Sequence, residues 1–222
     1  MPTALIAGAS GLVGGHLLDL LLAAPEYDRV VSVGRRPLPL THPKLQQETV
    51  DFAALEKNGT DLRCDDAFCC LGTTIKQAGS RENFRAVDHA AVLAFAWAAR
   101  RNGARRFFVV TALGADSQSR IFYSRVKGET EEALQVLDFK TLGIFQPSFL
   151  LGRKTNLRLG ERVMGAVLWL AEPMMLGSLR KYRSIRAKVV ARAMLRSSYG
   201  EGACGVLVYP SDEIQDLGGF GG

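Results

Sequence analysis

The sequence predicts a doubly wound α/β fold, a parallel sheet in the order 3-2-1-4-5-6 with a small helical C-terminal lobe. Three observations lead there. Short apolar runs alternate with helical stretches along most of the chain. The first run, Ala4–Ala7, ends in glycines spaced three apart, Gly8, Gly11 and Gly14, followed at once by an amphipathic stretch from Leu12 to Leu22. Further on, a helix carries a tyrosine and a lysine four residues apart, Tyr123 and Lys127.

The glycine spacing has a physical reading. Gly8 permits a tight turn, Gly11 lets the backbone approach a pyrophosphate, and Gly14 lets the helix pack close to the strand. The helix start then offers free N–H groups to phosphate. Strand, glycine turn and helix together predict a dinucleotide site built from Gly8, Ser10, Gly11, Leu12, Val13 and Gly14. Residues 1–222 then form one NAD(P)-binding Rossmann domain, with 152–200 as a substrate-side lobe within it.

Arg29–Gly34 reads as the second strand. The residue ending this strand, about 20 positions past the fingerprint, reads the adenosine ribose. An acid there suits the 2′-hydroxyl of NAD, whereas this chain has Arg35 with Arg36 behind it. Guanidinium groups suit a phosphate, so NADP(H) is expected over NAD(H). Leu45–Val50 is a third strand and Asp51–Lys57 a short helix ended by Asn58-Gly59. Asp66–Leu71 is a buried fourth strand, and Leu71 and Gly72 at its carboxyl end face the cofactor.

Ser80–Asn102 reads as one long helix, capped by Ser80 and ended by Gly103. Phe84, Val87, Ala91, Phe95 and Ala98 form its apolar face, and Asp88 points with them, so it needs a partner. Arg105–Thr111 is the fifth strand, Ala112–Arg120 a polar loop and Ile121–Leu137 a helix. On that helix Tyr123 and Lys127 share a face. A lone phenol is a poor acid–base group near neutral pH, and a neighbouring ammonium favours its phenolate.

The fingerprint, a hydroxyl residue ending strand five, and Tyr-x-x-x-Lys on the next helix resemble the short-chain dehydrogenase/reductase family over residues 1–152. GASGLVG at 8–14, CLGTTIKQAGS at 70–80, FRAVD at 84–88 and FYSRVKGETE at 122–131 are similar to its atypical, Tat-interacting-protein-like branch. The resemblance implies an NADPH-dependent oxidoreductase of carbonyl-reductase type acting on a small molecule. Tyr123 would be the acid, Lys127 its activator and the ribose anchor, and Thr111 the residue that orients the substrate oxygen. Pro147 would lie along the nicotinamide. Three positions depart from the family pattern: Thr111 replaces the usual serine, Asp88 an asparagine that supports a water relay, and Gln146 an arginine before Pro147. Related proteins that keep the motif as cofactor sensors imply an alternative, a non-catalytic NADP(H)-sensing interaction protein.

The rest of the chain narrows the partners. Net charge is +6, from 28 basic and 22 acidic residues. The basic excess sits largely beyond Gly152, without the aromatic interleaving of a nucleic-acid platform, so nucleic acid is not an expected partner. A protein partner or a second copy stays open. Glu161–Leu170 and Ser184–Ser197 read as helices, Gly205–Tyr209 as a late strand, and Leu217–Gly222 as a loose tail. The resemblance makes 152–200 the substrate lobe, which implies that Met164, Trp169 and Met174 lie near a pocket or in the core of that lobe. The longest apolar run, Val163–Leu176, is broken by Glu172 and Pro173 and is too short to span a membrane. Cys64, Cys69, Cys70 and Cys204 lack metal spacing and read as reduced, mostly buried thiols of a cytoplasmic protein; no signal peptide and no metal are expected. His16, His42 and His89 are scattered and read as packing or surface residues.

Overall fold

A computed structural model describes residues 2–55, 62–151, 177–200 and 204–219. The elements run β1 (Thr3–Ala7), α1 (Leu12–Ala23), β2 (Arg29–Gly34), β3 (Leu45–Thr49), β4 (Asp66–Cys69), α2 (Ile75–Ala78) and α3 (Arg81–Arg85). A π-helical segment, Ala86–Ala91, leads into α4 (Val92–Arg101). Then come β5 (Arg106–Val110), α5 (Phe122–Gln135), β6 (Thr141–Gln146), β7 (Leu150–Leu151), β8 (Ile185–Arg186), α6 (Ala187–Ser198), β9 (Gly205–Pro210) and α7 (Ser211–Gly219).

The main sheet has seven strands in the order β3-β2-β1-β4-β5-β6-β9, every neighbouring pair parallel. The expected six-strand order is therefore present and is extended by β9. Strands buried on both faces are continuous apolar runs, because helices cover each side of a parallel sheet. On one side Leu5, Val31, Phe107 and Ile144 pack with Phe95 of α4 and Leu134 of α5. On the other, Ile6, Phe68 and Phe108 pack with Leu17 of α1, Val190 of α6 and Ile214 of α7. Each such buried side chain is worth about 1.5–3 kcal/mol. Cys69 joins the first cluster and Cys70 packs on the second, as alternation along a strand requires. Burial pushes the Cys69 thiol up to about 12, so it is no nucleophile. Cys64 is also buried, whereas Cys204 is exposed.

Several boundaries differ from the sequence reading. The long helix is interrupted by its π-helical turn, although Ser80 does cap its start by accepting from Asn83 N at 3.1 Å. Gly79, at φ +80°, ends α2 immediately before that cap. Residues 51–55 form turns rather than a helix; 56–61 lie outside the described residues. Ile185–Arg186 pairs with Leu150–Leu151 as a short strand, so the following helix starts at Ala187. Leu217–Gly219 belongs to α7 and is not a loose tail, because Ile214 is fully buried and Gly218 seats against Val189. The expected helix at 161–170 and Met164, Trp169 and Met174 lie outside the described residues.

At the amino ends of the strands sits a buried polar cluster that the sequence did not announce. Asp66 is fully buried at the start of β4. Arg106 of β5 donates to it twice, from Nε at 2.5 Å and Nη2 at 2.6 Å. Tyr27 Oη donates to Asp66 Oδ2 at 2.6 Å, and Arg106 Nη1 donates to Ser198 O at the end of α6. Burial and then the charge of Asp66 hold the Tyr27 phenol far above its ordinary value, so it stays a donor.

Candidate active site

In a parallel sheet all carboxyl ends lie along one edge, and the predicted site residues follow from that. Gly8, Arg35, Leu71, Thr111 and Pro147 come within two residues after the ends of β1, β2, β4, β5 and β6. Gly8 has φ +83°, and a Cβ there would stand 2.5 Å from the carbonyl of Cys70. A Cβ on Gly14 would stand 2.1 Å from Gly8 O. Gly11 donates to Gly8 O at 2.9 Å and caps α1 without a side chain. No acid occupies the first turn of α1. The cradle is thus closed to side chains on its inner side and offers backbone N–H groups and a positive helix end outward, which fits a pyrophosphate. Ser10 is exposed at this turn, Leu12 is half-buried, and Val13 anchors the helix in the core. Gly14→Ala is expected to lose roughly 1–3 kcal/mol of stability, since the helix must move off the turn. A thermal melt with and without a nicotinamide dinucleotide checks this, the variant also losing ligand-induced stabilisation.

Arg35 and Arg36 are exposed just past β2, and among the described residues no hydrogen bond or ion pair engages either guanidinium. They are available to an anion beside the ribose end of such a site.

α5 brings the chemistry. Gly128 lets it press on the preceding loop, where a Cβ would stand 2.1 Å from Ser117 N. Asp116 N donates to Ser124 O at 3.1 Å in the same contact. The ring of Tyr123 lies 5.4 Å from that of Phe84, half-buried. One turn on, Lys127 Nζ stands 2.7 Å from Asp88 Oδ1, the two side chains 5% and 0% exposed. This is the partner that Asp88 required. Its other oxygen accepts from Thr73 N at 2.8 Å, and Gly72 leaves room, since a Cβ there would meet Asp88 Oδ1 at 3.4 Å and Lys127 Nζ at 3.8 Å. Burial works to lower the Lys127 pKa; Asp88, with Tyr123 nearby, more than offsets it and holds the ammonium above its ordinary value. Asp88 sits in the π-helical segment, a form that recurs at functional sites. Thr130 Oγ1 ties that segment to α5, 3.1 Å from Asp88 O and 3.1 Å from His89 Nδ1. Burial and then Arg85 lower the His89 pKa, so the imidazole is a neutral tie.

Thr111 departs from expectation. Its hydroxyl donates to Glu131 Oε1 at 2.5 Å rather than standing free for a substrate oxygen. Glu131 is buried and also accepts from Gln146 Nε2 at 3.1 and 2.9 Å. Glu131 is a site residue beyond those expected from the sequence. Its signal was present: Tyr123, Lys127 and Glu131 stand at i, i+4 and i+8, one stripe on one helix. Pro147 is buried, and its carbonyl accepts from Leu113 N at 3.0 Å, joining the loops after β5 and β6. Among the described residues no cluster of metal-ligating side chains occurs.

The fold and its glycine cradle define a dinucleotide-binding α/β protein with a Rossmann, NAD(P)-binding architecture. Solved structures agree: MoeE5 in complex with UDP-glucose and NAD superposes with a TM-score of 0.69 at 17% identity, over 98% of this chain and 82% of that one. The human epimerase family protein SDR39U1 with NADPH gives 0.63 at 19% identity, over 93% and 73%. The chain belongs to the atypical short-chain dehydrogenase/reductase family, on the branch of HTATIP2 and FMP52. It is 34% identical to HTATIP2 of Rattus norvegicus over 221 residues, 96% of this chain and 88% of that protein. It is 31% identical to mitochondrial FMP52 of Coccidioides immitis over 210 residues, 87% and 84%. No protein-family profile matches the chain.

Proposed function

We propose that the chain is an NADPH-dependent reductase of a small carbonyl compound. The observation that carries this reading is the stripe on α5: a tyrosine and a buried, charged lysine face the same sheet edge as the glycine cradle. A bound nicotinamide would supply hydride. Gly8, Ser10, Gly11, Leu12, Val13 and Gly14 would hold its pyrophosphate, Arg35 and Arg36 the 2′-phosphate, and Leu71, Gly72, Lys127 and Pro147 the nicotinamide half. Tyr123 would give a proton to the substrate oxygen. Lys127 keeps its charge beside the phenol and favours proton release.

A second reading, an NADP(H)-sensing interaction protein, is favoured by one observation. Asp88 neutralises Lys127 and so weakens its pull on the Tyr123 proton. Turnover separates the two: cofactor binding without turnover across a broad carbonyl panel selects the sensor.

Calorimetric titration with NADPH and NADH tests the cofactor. Arg35→Ala is expected to weaken NADPH about 10–100-fold, the range of a charge-assisted hydrogen bond, and to leave NADH unchanged. Equal loss for both cofactors would sink the phosphate role of Arg35. Cytoplasmic residence belongs to the same reading. Among the described residues no helix is long and apolar enough to cross a membrane, and the fungal relatives are named mitochondrial. Recovery of the protein in a mitochondrial fraction would overturn cytoplasmic residence alone.

A further inference from the structure

The third member of the α5 stripe has no role in the chemistry described so far. Glu131 is buried, one turn beyond Lys127, with Thr111 and Gln146 as its hydrogen-bond partners. A threonine hydroxyl has one proton. While Glu131 is a carboxylate it takes that proton, and Thr111 can show only lone pairs to whatever lies beyond it. Those lone pairs repel a carbonyl oxygen. Once Glu131 carries a proton the bond reverses: the carboxyl O–H donates to Thr111 Oγ1, and the threonine proton is released, with Phe145 O at a longer 3.3 Å and a substrate oxygen as the acceptors that compete for it. Gln146 Nε2 serves either form, since it only donates.

We propose that Glu131 is a positioning residue that sets the direction of the Thr111 hydrogen bond, so that Thr111 donates to a carbonyl oxygen only when Glu131 is protonated. The inference rests on the reductase reading of Tyr123 and Lys127. Thr111 at the end of β5, Gln146 at the end of β6 and Lys127 on α5 itself face the carboxyl group. Of these only Lys127 is charged, and Asp88 already holds it. Burial raises the Glu131 pKa, against the Thr111 and Gln146 hydrogen bonds and the Lys127 charge. The acid form therefore persists to higher pH than for an exposed glutamate. Carbonyl reduction should be favoured below that titration and fall as pH rises through it.

Glutamine at 131 is the informative change. Its amide N–H₂ donates to Thr111 permanently and its oxygen still accepts from Gln146, so it imitates the protonated acid. The experiment follows NADPH oxidation with phenanthrenequinone from about pH 5 to about pH 8, in wild type, Glu131→Gln, Glu131→Ala and Tyr123→Phe. Wild type is expected to lose roughly tenfold in kcat/KM across that range, about one hydrogen bond to the substrate oxygen. Glu131→Gln should lose that fall, and so should Glu131→Ala, which has no carboxylate to take the threonine proton. Near-complete loss of turnover in Tyr123→Phe supports the reductase reading underneath. If Tyr123→Phe is dead while Glu131→Gln keeps the wild-type fall with pH, only the role of Glu131 is overturned. If Tyr123→Phe keeps full turnover, or wild type has none, the reductase reading falls and this inference with it. Gln146→Leu covers the case in which Glu131→Gln does not fold. Removing a donor to the carboxylate should move the wild-type fall to higher pH, and an unmoved fall overturns the proposal.

Discussion

Lys127→Met is expected to lower folding stability by about 3–5 kcal/mol, the usual cost of leaving a buried charge without its partner. On the proposed reductase reading it should also abolish turnover. The cause of the first effect is Asp88, fully buried and 2.7 Å from the ammonium. Without Lys127 the carboxylate keeps only the Thr73 N–H, which does not compensate a charge shielded from water. The two effects separate in a double variant. Lys127→Met with Asp88→Asn removes the stranded charge while still accepting from Thr73 N, so most of the stability should return. Turnover should not, because the cation beside Tyr123 is gone. Denaturant unfolding of the single and double variants checks this. A double variant no more stable than the single one would show that the ion pair is not what the lysine stabilises.

Asp66→Ala should be about as damaging to the fold, again about 3–5 kcal/mol, and leave the cofactor end untouched. Asp66 accepts both Arg106 hydrogen bonds and the Tyr27 hydroxyl, all in a cluster at the amino ends of the strands. Its loss strands the Arg106 guanidinium, which is partly exposed, and the buried Tyr27 phenol, which burial and Asp66 now hold as a donor. The cluster lies at the sheet edge opposite the glycine cradle, so NADPH affinity of the folded fraction should stay within about twofold. A large loss of affinity at temperatures where the variant is folded would mean that the two edges are coupled.

Much of this architecture could be read from residue order. Apolar runs ending in Gly8, Gly34 and Thr111 mark strand ends, and a parallel sheet places every one on a single edge. The Tyr123–Lys127 pair could be read because four residues close one helical turn. What could not be read is pairing across distance. That Asp88 would need a partner followed from its position among Phe84, Val87 and Ala91; that the partner is Lys127 depends on how α5 packs on the π-helical segment. A π-helical turn has no marker in Ala86–Ala91 itself, since backbone hydrogen-bond spacing there answers to tertiary contacts such as Thr130 on Asp88 O. Glu131 was overlooked for a simpler reason. A glutamate late in a helix usually faces solvent, and only the approach of Thr111 and Gln146 from two strands buries it. The Asp66–Arg106–Tyr27 cluster is the same case: strand register sets Asp66 beside Arg106, and the loop before β2 brings Tyr27 to them. The helix at Ser211–Gly219 escaped because its glycines look like those of a tail, yet Gly218 is what lets it lie against Val189.

The placement of β9 has a consequence for how the chain comes together. It pairs with β6 along six positions, from Thr141 with Gly205 to Gln146 with Pro210. During synthesis β6 emerges long before its neighbour exists. Leu142, Ile144 and Phe145 make its middle apolar, and all its residues but the last are buried in the finished sheet. Until β9 arrives, one side of β6 is an open row of peptide groups on an apolar strand, the kind of edge that recruits foreign strands. The nascent chain therefore passes through an interval in which its own sheet is a template, and Gly205–Pro210 ends that interval by occupying the vacancy from within.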